Sequence, residues 1–210
     1  MIKTSVATLA CFQDLPGYEF HITALLKTAS VPIDEYLACE EGAEFRHEFI
    51  GGAVHAMAGG TRDHSAIAAN AIVSLGYQLR GKTCRPFTSD LKIRIDFPDH
   101  VCFYHPDASV VCTPPSGDPR YERNPIVILE VLSESTRRID QTEKRDGYFH
   151  LPSFQVLLLA DSERLHVLVH RRRSDGGFAT EEYAVRDAVI PLTEIETSLA
   201  LEDLYEGIQL

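Results

Sequence analysis

Asp107, Glu130 and Lys144 are the residues whose types and surroundings could do chemistry. Glu130 is the single charged residue of IVILEVL (126–132), the most apolar run in the chain. A carboxylate in such a run pays a desolvation cost and persists only when paired, protonated or bound to a cation. A salt bridge to a neighbouring arginine would satisfy it too, so Glu130 alone decides nothing. Asp107 supplies a second acid, in YHPDASVVC, where Pro106 interrupts a strand. Such a proline marks an edge, a bulge or a strand entry, where side chains are aimed into sites; by itself a Pro-Asp pair is ordinary turn chemistry. From adjacent strands the two acids could converge, and hard cations such as Mg²⁺ take one or two such oxygens beside waters and a phosphate. Lys144 lies in DQTEKRDGYF; if this segment is helical, Asp140, Lys144 and Tyr148 share a face. Alone, Lys144 reads as a solvated lysine paired with Asp140. Beside two acids it reads as a group that steadies an attacking water and the charge developing on a phosphate.

The elements that must position these residues can be read from periodicity. After Val31-Pro32 the run Ile33 to Cys39 predicts a short helix, with Asp34 and Glu35 near its positive end. Phe45–Ile50 and Ala53–Ala58, joined by Gly51-Gly52, predict a hairpin. From Asp63 to Arg80, Ile67, Ala68, Ala71, Ile72, Leu75 and Leu79 form one helical stripe. Leu91, Ile93 and Ile95 alternate with Lys92, Arg94 and Asp96, the period of a half-buried strand. Val101–Cys112 predicts another strand, Thr113–Pro125 an exposed loop, and Ile126–Leu132 a strand buried on both faces. A helix over Thr142–Leu151 follows, then strands over Val156–Ala160, Leu165–His170 and Phe178–Val185, and a short closing helix over Leu199–Tyr205. No internal repeat or low-complexity linker divides the chain, so one domain over 31–210 is expected, preceded by an N-terminal extension over 1–30.

Composition sets the limits. The chain has 210 residues, 44% hydrophobic and 24% charged, enough for one sizeable core. Nothing approaches the roughly 18 apolar residues of a membrane span, and no basic start leads into a long apolar region, so a cytoplasmic protein is expected. The five cysteines are scattered and never in a CxxC pair, which predicts reduced, mostly buried thiols; Cys102 and Cys112 fall on strand candidates. The net charge of −11 works against nucleic-acid binding, which relies on Lys and Arg to neutralise phosphates. A locally basic cleft is compatible with that balance: Arg137, Arg138, Lys144 and Arg145 cluster in sequence beside the two acids' strands. Arg171–Arg173, at a hairpin turn, reads as a solvated face.

The order YHPDASVV, IVILEVLSESTRRIDQTEKRDGY, FQVLLLAD resembles the bacterial Uma-type restriction endonucleases of the PD-(D/E)XK superfamily. Upstream, EFRHEFIGGAVHAMAGGTRDHSAIAANA is similar to that family's amino-terminal signature, with Glu48, Gly51-Gly52 and His64 in order, and FTSDLKIRI is family-like as well. The resemblance runs from about Pro32 to Tyr205. It implies an α/β fold with a restriction-endonuclease-like core, a mixed central sheet flanked by helices. It implies Asp107 and Glu130 as catalytic metal ligands for Mg²⁺ or Mn²⁺, and Glu48 as an additional catalytic acid. The superfamily's usual lysine, two residues after the glutamate, is Leu132 here; Lys144 matches the lysine this family carries on the next helix. His64 and Asp90 are further candidates, and Lys92, Arg137, Arg138 and Arg145 are the expected nucleic-acid contacts, with Arg94 on the same strand as Lys92. The implied activity is metal-dependent hydrolysis of DNA by a homodimer. The alternatives are an inactive binding module with a nuclease fold, or a phosphodiesterase for small nucleotides.

Overall fold

The computed structural model describes residues 30–57, 59–114, 117–133 and 140–210, with the backbone alone at 140 and 141. In chain order its elements are α1 (Ile33–Glu40), β1 (His47–Ile50), β2 (Ala53–Ala56), α2 (Arg62–Gln78), β3 (Arg85–Thr88), β4 (Lys92–Asp96), β5 (Val101–Tyr104) and β6 (Ala108–Val111). There follow β7 (Tyr121–Glu122), β8 (Pro125–Leu132), a π-helical turn (Asp140–Lys144), α3 (Arg145–His150), β9 (Val156–Asp161), β10 (Val167–Arg172) and β11 (Phe178–Tyr183). β12 (Val189–Leu192), a 3₁₀ turn (Thr193–Ile195), β13 (Thr197–Ala200) and α4 (Leu201–Leu204) complete the chain. Among the described residues no helix is long and apolar enough to cross a membrane. The chain divides into two compact units, one holding the described residues up to Gly59 with Arg94–His105, the other Gly60–Ile93 with the described residues from Pro106 onward.

In the first unit β1 pairs antiparallel with β2 and with β5. The hairpin turns on Gly51 and Gly52, whose φ angles of 57° and 100° are the positive values such a two-residue link requires. Tyr36 of α1 packs its ring on Phe49 and Phe103, with centroids 5.0 and 5.4 Å away, and its hydroxyl donates to the His47 carbonyl at 2.7 Å. Beside this aromatic core Glu40 is buried between two histidines: His47 Nδ1 lies 3.1 Å from Oε2 and His105 Nε2 3.5 Å from Oε1. Burial pushes the Glu40 carboxyl up, but hydrogen bonds from His105 and His47 outweigh it and hold the group below its ordinary range. Burial, and then the nearby Glu40 and Glu48 charges, push the Tyr36 phenol up.

The second unit is built on a six-stranded mixed sheet of order β11-β10-β9-β8-β6-β3. β8 and β9 run parallel at its centre, from Val127 opposite Val156 to Leu132 opposite Asp161, and β9 is buried throughout. That is the burial expected of central parallel strands. The helical stripe Ile67, Ala71, Leu75 and Leu79 of α2 shares a core with Ala108, Val110, Val127, Leu129 and Val131. Since side chains alternate along a strand, Ile128, Glu130 and Leu132 point to the other face. The hairpin β12–β13 and α4 add Ile190, Leu192, Leu199, Leu201 and Leu204 to the α2 side of the core.

Several expectations change. The strand expected over 101–112 is two strands, β5 in the first unit and β6 in the second, because Pro106 has no N–H with which to continue a ladder. Strands 92–96 and 101–104 therefore do not belong to the sheet that holds β8 and β9. The segment 113–125 contains β7, which pairs parallel with Lys92 and Ile93 of β4. The helix expected over 142–151 opens as the π-helical turn and is α-helical only from Arg145. The extension over 1–30 lies outside the described residues except for Ser30.

The expectation of reduced thiols is also overturned. β3 and β6 pair with Arg85 opposite Val111, so Cys84 and Cys112 stand opposite one another at the next position, and they form a disulfide. Cys39 is disulfide-bonded too, whereas Cys102 is buried and outside a disulfide, as expected.

Two outcomes follow. Replacing both Cys84 and Cys112 by Ala, which opens a covalent loop of sequence separation 28, lowers stability by about 3 to 4 kcal/mol in denaturant titrations. Titration of thiols in the unreduced, denatured chain reads the bond directly; two reactive groups at these positions would refute it. For Glu40 the native pKa is depressed, so its stabilisation is present above the ordinary glutamate value of about 4.3 and is lost as pH falls through the lower native value. Glu40→Gln thus melts earlier than the unaltered chain at pH 7, and the gap narrows as pH falls below the ordinary glutamate range.

Candidate active site

The site is assembled on the break before β6. The β6–β8 register sets Ala108 opposite Leu129, which brings Asp107, one residue earlier, level with Glu130. Because the strand stops at Pro106, a side chain and not a carbonyl meets the Val131 N–H: it donates to Asp107 Oδ2 at 2.7 Å. The Asp107 N–H in turn donates to Glu130 Oε2 at 3.4 Å. The two predicted acids are thus brought together, each tied to the other's strand.

Lys144 closes the π-helical turn and Tyr148 follows four residues later on α3, so both side chains leave the same face. Turns of this kind recur at functional sites. Lys144 Nζ lies 3.7 Å from Glu130 Oε1, and the Tyr148 hydroxyl donates to that same oxygen at 2.6 Å. Glu130 is 3% exposed, Lys144 7% and Tyr148 0%, so water does little to screen these charges. Tyr148 was not among the predicted site residues; its shared face with Lys144 was the signal that could have found it.

His64 enters from the first turn of α2. Thr61 caps this helix, its side chain accepting the His64 N–H at 3.2 Å, and His64 Nε2 lies 3.3 Å from Asp107 Oδ2. The ring comes so near Gly60 that a Cβ there would sit 2.7 Å from His64 Nδ1 and would force the imidazole to shift. Asp107 Oδ2 thus faces both a backbone N–H and an imidazole.

The remaining candidates are placed as follows. Glu48 belongs to the first unit, on β1, where its Oε1 accepts the His105 N–H at 3.5 Å. Lys92 is buried on β4, opposite Tyr121. Hydrogen bonds from Arg120, and to a lesser extent the charge of Lys92, hold the Asp118 carboxyl down at about 2. Arg94 pairs with Asp96 at 2.8 Å, and Asp90 is exposed beside Thr88. Arg145 pairs with Asp146 at 2.7 Å and lies over the Phe149 ring. Arg137 and Arg138 lie outside the described residues. The expected solvated face at Arg171–Arg173 holds only for Arg173: Arg171 is tied to Glu181 and Glu194, and Arg172 donates to the carbonyls of Phe149, Leu151 and Phe154. Among the described residues, no three His, Cys, Asp or Glu side chains group closely enough to hold a metal ion by themselves.

Comparison with known proteins bears on this geometry. A family model, "Uma2: Putative restriction endonuclease", matches residues 33–202. "Uncharacterized protein slr1290" of Synechocystis sp. is 32% identical over 177 residues, covering 83% of this chain and 91% of that protein. "Uncharacterized protein sll1609" of the same organism is 30% identical over 130 residues, 60% of this chain and 72% of that one. The crystal structure of "a putative nuclease belonging to DUF820" from Anabaena variabilis superposes with a TM-score of 0.66 at 23% identity, covering 85% of this chain and all of that one. The mixed α/β architecture is therefore one already seen in a solved structure.

Removing the cation from a buried ion pair leaves an uncompensated charge. Lys144→Met is expected to lower the unfolding free energy at pH 7 by about 3 kcal/mol in urea titrations, and adding Glu130→Gln should recover part of it. A loss below about 1 kcal/mol would place the compensation of Glu130 elsewhere.

Proposed function

This chain belongs to the Uma2 family, and on that premise we propose that it is a metal-dependent endonuclease that hydrolyses phosphodiester bonds of DNA. In this reading Asp107 and Glu130 hold a Mg²⁺ or Mn²⁺ ion. The observation that carries it is the convergence of two carboxylates at the β6–β8 junction. Asp107 and Glu130 lie level with one another, with the His64 imidazole beside the first and the Lys144 ammonium beside the second. An ion bound by one or two carboxylates, with waters and a substrate phosphate completing its shell, suits this donor set.

When bound, the ion supplies Lewis acidity toward a phosphate oxygen and activation of water. The chain's own groups do the rest. Asp107, held through Oδ2 by Val131 N–H and His64, keeps its carboxylate turned toward Glu130's strand. Lys144, fixed on a buried carboxylate, stabilises negative charge on a phosphate without reorganising, which is where such a group is most effective. Arg145, partly exposed one residue further on, is the nearest described group in sequence suited to a phosphate contact. The net charge of −11 works against phosphate binding over most of the chain, so binding depends on local basic groups and weakens as salt rises. A homodimer supplies the two sites needed to cut both strands.

Plasmid cleavage with Mn²⁺ tests this reading. Asp107→Ala and Glu130→Ala should lose both ion binding and cleavage, whereas Lys144→Ala should keep ion binding and slow cleavage by about 10²- to 10³-fold. Linear product beside nicked product reports the paired sites. Asp107→Ala that still takes up Mn²⁺ as tightly as the unaltered chain would defeat the metal assignment. Hydrolysis of short nucleotides alone would make the protein a small-nucleotide phosphodiesterase.

A further inference from the structure

Glu130 has two oxygens, and the chain treats them differently. Oε1 receives the Tyr148 hydroxyl at 2.6 Å and has Lys144 Nζ 3.7 Å away. Oε2 is on the Asp107 side and accepts that residue's N–H at the longer distance of 3.4 Å. A carboxylate oxygen offers about two lone-pair directions, and those of Oε1 face a phenol and an ammonium. A divalent cation at Oε1 would also stand against the ammonium in a site with little water to screen the repulsion.

Tyr148 is built to hold this arrangement. Its side chain is fully buried, and its ring lies 6.0 Å from that of Phe154, which is fully buried as well. Packing therefore fixes the ring, and the short α3 carries its hydroxyl to Glu130 from the same face as Lys144.

We propose that Tyr148 is the positioning residue of the metal site, holding Glu130 through Oε1 so that Oε2, the oxygen beside Asp107, is the one presented to the cation. This role rests on the metal-site reading above. In this role Tyr148 touches neither ion nor substrate and acts through Glu130.

The test is Mn²⁺ titration of the full chain by calorimetry and electron paramagnetic resonance, comparing the unaltered protein, Tyr148→Phe, Phe154→Leu and Asp107→Ala. Tyr148→Phe keeps the ring and loses the O–H; its Mn²⁺ affinity should fall about 10- to 100-fold, the usual effect of removing a group that orients a metal ligand. Phe154→Leu loosens the packing and keeps the O–H; it should melt earlier yet bind Mn²⁺ within about threefold of the unaltered chain, since the orienting group is intact. Equal affinity in Tyr148→Phe and the unaltered chain, with Asp107→Ala unable to bind, overturns the role of Tyr148 and leaves the metal site standing. A parallel loss in Tyr148→Phe and Phe154→Leu reduces Tyr148 to a packing residue and overturns it too. No Mn²⁺ binding by the unaltered chain removes the metal reading itself and the role with it. If Tyr148→Phe does not fold, 3-fluorotyrosine at 148 in the otherwise intact chain gives the answer by fluorine resonance. Its signal should shift on saturation with Mg²⁺, and a signal that stays put while Mg²⁺ binds overturns the proposal.

Discussion

A carboxylate on the central strand of an apolar sheet is the condition around which the second unit is organised. Ile128 and Leu132, its neighbours on the same face, are fully buried, so Glu130 is cut off from water by its own strand. A charge so placed must be met by groups fixed in position. Among the described residues, two segments supply them: a phenol and an ammonium from the helical segment after β8, and a backbone N–H from the residue before β6. The π-helical turn and the short α3 have their place in the fold because they bring Lys144 and Tyr148 to one oxygen.

The same economy governs Asp107. Pro106 ends one strand and begins another course of the chain, which leaves Val131 N–H without a carbonyl partner at that level. The aspartate side chain fills the gap, and His64, at the capped start of α2, approaches the same oxygen. A proline that elsewhere would only mark a turn here exchanges a backbone acceptor for a charged one.

Much of this was legible in the residues. The stripe on α2, the Gly51-Gly52 hairpin and the buried strands β8 and β9 follow from periodicity alone, and their observed bounds, Arg62–Gln78 and Pro125–Leu132 among them, lie close to those read from the pattern. The convergence of Asp107 and Glu130 was legible in outline, since each acid broke an apolar pattern in its own strand. What stayed hidden depends on pairing between distant segments. Nothing local in 85–88 announces β3, so the register that brings Cys84 to Cys112 could not be foreseen. The strand over 101–112 read as one element because apolar runs lie on both sides of His105-Pro106-Asp107, although its two halves join different sheets. Tyr148 went unassigned because a tyrosine at helical spacing is more often core than site, and here it is a core residue whose hydroxyl reaches Glu130.

The disulfide has a topological consequence. The chain leaves the second unit after Ile93 and returns at Pro106, and both points fall between Cys84 and Cys112. The whole excursion that contributes Arg94–His105 to the first unit is thus enclosed in one covalent ring. A protease that cuts at the Asp99-His100 turn would not release a fragment: the nicked protein would migrate as one species until a reductant separated the pieces. Backbone continuity through the excursion and connectivity of the molecule are separate properties here, and the first can be lost while the second is kept.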